Sequence, residues 1–135
     1  ELARQKEIEI MLSVNEEYEV FADSHMADTV IRNLISNAIK FTGRGGKIDV
    51  SARATPFNSI EILVSDSGTG MSPELINKLF LLNERISLKG TEGETSSGLG
   101  LLLCKEFIEK NKGKIWVESE EGKGSTFYFS LPCIQ

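Results

Sequence analysis

Hydrophobic and polar positions along this chain follow two periods. Between Ser24 and Phe41, the residues Met26, Val30, Ile31, Leu34, Ile35 and Ala38 recur at helical spacing and form one apolar stripe. Asp23 or Ser24 stands where an N-cap is wanted, and Gly43, Gly45 and Gly46 close the segment. A second long helix is predicted over Leu99–Asn111. A short one is predicted from Pro73 to near Phe80, with Ser72 as its N-cap and proline at the first helical position. Period-two runs predict strands over Glu7–Val14, Tyr18–Ala22, Lys47–Ala54, Ser59–Asp66, Lys114–Ser119 and Thr126–Leu131. Asn15-Glu16-Glu17, Pro56-Phe57-Asn58 and Glu120-Glu121-Gly122-Lys123-Gly124 read as the turns between them. From about Asn83 to Ser97 the chain is polar and without period, which predicts a mobile loop rather than an element. These elements describe one α+β domain of two layers, with helices packed on a sheet.

Composition narrows the function classes. The chain has 135 residues, 40% of them hydrophobic, enough for one core and ordinary for a globular domain. A net charge of -5 argues against a nucleic-acid surface, which needs a basic patch to neutralise phosphates. A small anion remains compatible, because backbone N–H groups and a few lysines hold one locally. Cys104 and Cys133 have no metal or redox spacing. Free thiols, no signal peptide and no apolar run of membrane length predict a cytoplasmic segment without membrane contact of its own, whether or not a parent protein is anchored in the inner membrane. The chain begins at Glu1 and reads as part of a longer protein, with residues 1–6 as a linker remnant and residues 7–135 as the domain.

Three Gly-x-Gly pairs mark candidate chemistry: Gly68/Gly70, Gly98/Gly100 and Gly122/Gly124. None completes a Walker or dinucleotide fingerprint, and any one alone is as well read as a turn. Their order is more telling. The first follows a strand, the second opens a helix, where free N–H groups and the dipole favour phosphate, and the third joins the last two strands. Asn33, Asn37 and Lys40 share a narrow arc of the long helix at the border of its apolar stripe. Asparagine is a poor helix former, so two on one edge suggest a role: an amide oxygen for Mg²⁺ beside a lysine for phosphate, against solvated or backbone-bonded amides. Asp66 ends an apolar strand. It is either an Asx turn into Ser67-Gly68 or a buried acceptor for an exocyclic amino group. His25 reads as a helix-entry residue, Cys104 as core and Trp116 as strand packing.

Taken together, these residues resemble sensor histidine kinases. Asn33-Leu34-Ile35-Ser36-Asn37-Ala38-Ile39-Lys40-Phe41-Thr42 is similar to the family's N box, Asp66-Ser67-Gly68-Thr69-Gly70-Met71 to its first glycine box, and Lys78-Leu79-Phe80 to its F box. Gly98-Leu99-Gly100-Leu101 resembles the second glycine box and Gly122-Lys123-Gly124-Ser125-Thr126-Phe127 the third. The boxes occur in family order from Asp23 to Pro132, in a manner closest to hybrid two-component sensors of the Bacteroides type.

The resemblance implies the Bergerat ATP-binding fold, a two-layer α/β sandwich with a mixed five-stranded sheet and about three helices on one face. It implies that Asp66 accepts from the adenine amino group, that Gly70 lets the ring sit close to the backbone, and that Gly68 belongs to the cofactor-binding residues. Asn37 would hold Mg²⁺ and Lys40 would meet phosphate. Asn33 would stand where related ATPases carry a glutamate base, making plain hydrolysis slow. Phe41 would lie near the nucleotide, Arg85 would reach the phosphates, and the backbone of Gly98, Leu99, Gly100 and Leu101 would cradle them. Ser125 or Thr126 would complete the adenine pocket. Asn83 departs from the F box, which often has a second phenylalanine there. The implied activity is ATP-dependent transfer to a histidine on a separate helical dimerisation domain, with a response-regulator receiver domain downstream. The alternatives are a nucleotide-binding regulatory module or an anti-sigma-type serine kinase of the same superfamily.

Overall fold

The computed structural model describes residues 7–13, 20, 22–78, 88–89, 95–96 and 99–133. Five strands form the main sheet: β1 (Glu9–Ser13), β2 (Lys47–Ala54), β3 (Ser59–Asp66), β6 (Lys114–Glu120) and β7 (Gly124–Pro132), in the order β1-β2-β3-β7-β6. β1 and β2 pair in parallel, and the remaining neighbours are antiparallel. A parallel pair needs a long crossover. Here that crossover contains α1 (Ser24–Phe41), which makes the sheet mixed. α2 (Pro73–Lys78) and α3 (Leu99–Lys110) complete the helices among the described residues.

The local chemistry explains the boundaries of α1. Asp23 has extended backbone and its carboxylate accepts from the Met26 N–H at 3.0 Å, so it is the N-cap. The apolar stripe turns inward, and Val30, Leu34 and Ala38 are buried, joined by Ile39. At the other end the Thr42 N–H donates to the Ile39 carbonyl, and its buried hydroxyl donates to the Ala38 carbonyl at 2.6 Å. Along β7, Ser125, Phe127, Phe129 and Leu131 are buried while Thr126, Tyr128, Ser130 and Pro132 are half-buried. That period of two sends one set toward the helices and the other to the opposite face. Phe129, Val64, Ile48 and Leu34 are fully buried between the layers. On the helix-free face Trp116 stacks on Tyr128, with ring centroids 5.1 Å apart.

Two expectations change. Leu88–Lys89 (β4) and Thr95–Ser96 (β5) pair antiparallel inside the stretch read as a loop. Strands of two residues are too short to carry an alternation that a sequence can show. Of the expected Tyr18–Ala22 strand, Val20 forms an isolated bridge to Cys133 and Ala22 lies in a bend, while residues 18, 19 and 21 lie outside the described residues. The helix expected to end near Phe80 is described as far as Lys78. No helix among the described residues is long and apolar enough to cross a membrane.

Asn111 joins the ends of the two long helices. Its Oδ1 accepts from the Asp23 N–H at 2.8 Å, and its Nδ2 donates to the Phe107 carbonyl at 2.7 Å. One amide thus links the start of α1 to the last turn of α3, where the Phe107 carbonyl also accepts the Asn111 backbone N–H at 3.2 Å. Asn111→Ala is expected to lower stability by about 1–2 kcal/mol. Urea unfolding should show a lower midpoint at unchanged slope.

Candidate nucleotide site

A cavity of about 150 Å³ opens between α1 and the sheet, lined by Asn37, Ala38, Phe41, Asp66, Thr69, Gly70, Met71, Leu75, Leu101, Ser125 and Phe127. Most of this wall is apolar or backbone, and the ionisable side chain in it is Asp66. Such a slot suits a flat ring with one polar edge.

Asp66 is 9% exposed. Its Oδ1 accepts from the Gly68 N–H at 2.9 Å. Burial pushes its pKa above the ordinary value, against the lowering effect of the Gly68 and Ser125 backbone N–H groups. The Asx turn and the buried acceptor are therefore both present in one residue. The turn engages Oδ1 and orients the carboxylate, which lines the cavity with acceptor capacity left over.

The loop after Asp66 is held from three sides. The Ser67 N–H donates to the Lys47 carbonyl at 3.1 Å and the Thr69 N–H to the Phe41 carbonyl at 3.1 Å. The Gly122 N–H donates to the Thr69 carbonyl at 2.8 Å. The Met71 N–H donates to Ser119 Oγ at 2.8 Å. These bonds tie the first glycine loop to α1, to β2 and to the β6–β7 turn. Gly70 lines the cavity, but its need for glycine has another source. With φ +70, a Cβ there would lie 2.0 Å from the Glu120 carbonyl oxygen. Close packing against the end of β6 excludes a side chain at this position.

The sequence-predicted residues divide as follows. Asn37, Phe41, Asp66, Gly70, Leu101 and Ser125 come together around the cavity. Gly68 acts through its N–H on Asp66. Of the Ser125-or-Thr126 alternatives, Thr126 stands away from the cavity: its hydroxyl lies 2.9 Å from Ser65 Oγ, and the alternation of β7 places it on the opposite face from Ser125. Asn33 does not line the cavity; its Nδ2 donates to the Thr29 carbonyl at 3.0 Å, the backbone-bonded alternative raised above. Lys40, in the last turn of α1, also stands outside the cavity lining. Leu99 and Gly100 form the first turn of α3. Arg85, Gly98, Phe80 and Asn83 lie outside the described residues. Ala38, Thr69, Met71, Leu75 and Phe127 line the cavity without having been singled out. All except Leu75 sit inside the quoted boxes, so only their orientation was missing. His25 is exposed in the first turn of α1.

Among the described residues no group of three or more His, Cys, Asp or Glu side chains is placed to hold a metal ion. Asn37 lines the cavity, and its side chain carries one amide oxygen. Mg²⁺ fits such a sparse donor set only if phosphates and water provide its other ligands, which is its usual habit.

The sequence profile described as histidine kinase-, DNA gyrase B-, and HSP90-like ATPase matches residues 22–135. The adaptive-response sensory kinase SasA of Prochlorococcus marinus is 40% identical over 114 residues, covering 84% of this chain and 29% of that protein. SasA of Crocosphaera subtropica is 35% identical over 136 residues, covering 100% of this chain and 35% of that protein. The chain thus spans about a third of the length of these curated relatives. The nucleotide-free catalytic domain of histidine kinase ThkA superposes with a TM-score of 0.80 at 33% identity, over 96% of this chain and 82% of that one. Full-length ShkA in complex with AMPPNP superposes with a TM-score of 0.81 at 27% identity, over 99% of this chain and 27% of that one. The mixed sheet, the helix layer and the cavity between them are the Bergerat arrangement that the boxes implied. The chain belongs to the histidine kinase-, DNA gyrase B- and HSP90-like ATPase family, as an ATP-binding catalytic domain of the sensor histidine kinase kind.

Proposed function

We propose that the cavity receives the adenine of ATP and that the domain passes the γ-phosphoryl group to a histidine on a separate helical dimerisation domain. The observation that carries this reading is Asp66, a buried acceptor at the edge of an apolar slot, with the amide of Asn37 on the same wall. An exocyclic amino group donates to the carboxylate, and Phe41, Met71, Leu75 and Phe127 exclude water from the ring. The phosphates then extend toward Asn37, Lys40 and the N-terminus of α3, where the Leu99 and Gly100 backbone and the helix dipole favour negative charge. By the family resemblance Gly98, and Arg85 after the F box, would be further phosphate contacts; both lie outside the described residues.

Phosphoryl transfer asks the protein mainly for positioning and charge neutralisation. Asn37 would hold Mg²⁺, which would neutralise charge on the phosphate oxygens. The acceptor imidazole nitrogen forms a bond to γ-phosphorus as the bond to the bridging oxygen breaks and ADP leaves. Asn33 cannot act as a base, and its amide is engaged with the Thr29 carbonyl, so water is poorly activated and ATP hydrolysis by the isolated domain is slow. ThkA has been solved in complex with the response regulator protein TrrA, which supports a receiver domain as the downstream partner here. On this reading the domain works in the cytoplasm, beside the ATP pool.

Mixing the domain with a purified helical phosphoacceptor domain and γ-labelled ATP is expected to label a histidine of that acceptor, with Mg²⁺ and not without it. The domain alone should acquire no label on His25, which is exposed at the far end of α1 from Asn37. ATP binding without any transfer would favour a regulatory nucleotide-binding module. Label on serine would favour the serine-kinase branch.

A further inference from the structure

Ser119 lies on β6, outside the cavity lining, yet its hydroxyl joins three parts of the site. A serine hydroxyl has one proton to give and two lone pairs to share. The Met71 N–H, 2.8 Å from Ser119 Oγ, can only donate. The Gly124 carbonyl, 3.0 Å away, can only accept. The third neighbour is Ser125 Oγ, at 2.7 Å. The Met71 N–H takes one lone pair, and giving the Ser119 proton to Gly124 is the arrangement in which all three contacts are hydrogen bonds at once; giving it to Ser125 would leave the Gly124 contact unmade. With the Ser119 proton so placed, the short Ser125 contact is a hydrogen bond only if Ser125 donates into the remaining lone pair.

The consequence falls on the ligand side. Ser125 lines the cavity, and its Cα pairs with that of Asp66 across the sheet. With its proton turned to Ser119, the Ser125 hydroxyl offers the cavity only lone pairs. Asp66, when ionised, also only accepts. This edge of the slot then matches a ligand group that donates, such as the amino group of a 6-aminopurine. It is mismatched to a 6-oxo purine, whose oxygen would face two acceptors and find no donor. If Ser119 were absent, the Ser125 hydroxyl could rotate and offer its proton to an oxo group.

We infer that Ser119 is a positioning residue: it fixes the direction of the Ser125 hydroxyl and thereby helps the site select adenine over 6-oxo purines. The inference rests on the adenine reading above, but the two fail differently.

The test compares ATP and inosine triphosphate binding by calorimetry in wild type, Ser119→Ala, Ser119→Thr, Ser125→Ala and the Ser119→Ala/Ser125→Ala double variant. Ser119→Ala is expected to lower the ATP to inosine triphosphate affinity ratio by about tenfold, the value of one hydrogen bond. Ser119→Thr, which keeps the hydroxyl, should retain the ratio. Once Ser125 is alanine, removing Ser119 as well should not change the ratio further. A purely structural role for Ser119 would weaken both nucleotides equally, and that result overturns the inference. An unchanged ratio in Ser125→Ala overturns it too, and this variant serves even if Ser119→Ala fails to fold. If wild type binds neither nucleotide, the adenine reading itself is lost.

Discussion

Replacing Asp66 by asparagine is expected to weaken ATP binding by about 100-fold while the domain stays folded. The carboxylate is 9% exposed, one oxygen is engaged by the Gly68 N–H at 2.9 Å, and the side chain lines the cavity. Asparagine keeps the shape and can still accept from Gly68. Its NH₂ would meet the adenine amino group donor to donor. The change replaces a charge-assisted hydrogen bond by a buried mismatch, and ~2.7 kcal/mol corresponds to the stated factor. Calorimetry on wild type and variant reads it directly. Equal affinities would remove adenine from the Asp66 edge of the cavity.

The same residue makes a pH prediction. Burial raises the Asp66 pKa in the nucleotide-free domain, with the Gly68 and Ser125 N–H groups opposing. A carboxyl with a folded value above its unfolded value binds its proton more tightly when folded. Its contribution to stability is fully present below the unfolded value and is lost as pH rises through the raised folded value. Above that window the ionised group is carried at a cost that a binding site accepts for its ligand. Unfolding free energy of the wild-type domain should therefore contain a component that falls across this interval. Asp66→Asn should lack that component.

The largest effect on folding is expected from Gly124→Ala, about 3–5 kcal/mol of lost stability. Gly124 opens β7 with φ +97, and a Cβ there would lie 2.1 Å from the Asp66 carbonyl oxygen and 3.2 Å from the Gly68 nitrogen. The obstacle is backbone on a paired strand, so no side-chain rotation relieves it. Pushing β7 away would disturb the register of Ser125 opposite Asp66, and nucleotide binding should fall with stability. Gly122 provides an internal comparison. It shares the turn and has φ +82, but a Cβ there meets nothing within 4 Å. Gly122→Ala should cost only the backbone strain of a left-handed alanine, about 1–2 kcal/mol. Denaturant midpoints for the two variants separate close approach from backbone conformation. Equal losses would show that conformation alone demands these glycines.

The sequence alone determined the long elements and named six of the residues that line the cavity. The apolar stripe of α1 and the alternation in β2, β3 and β7 are local periodicities, and burial imposes them through geometry shared by every helix and strand. The boxes named Asn37, Phe41, Asp66, Gly70, Leu101 and Ser125 before their convergence was visible. What sequence could not decide was facing and partnership. Ser125 and Thr126 are neighbours of similar chemistry, and only the pairing of β7 with β3 sends one into the cavity and the other to the opposite face. Asn33 and Asn37 look equivalent on one helix edge, and only the folded chain puts Asn37 on the cavity wall while the Asn33 amide turns back to Thr29. Gly70 was expected to make room for a ligand, whereas the backbone of Glu120, 50 residues further along, is what crowds it. Ser119 carried no signal, because its role arises from Met71, Gly124 and Ser125 meeting around one hydroxyl. Periodicity reports on a residue and its near neighbours along the chain. Hydrogen-bond direction and close approach depend on groups that only the tertiary fold brings within 3 Å of one another.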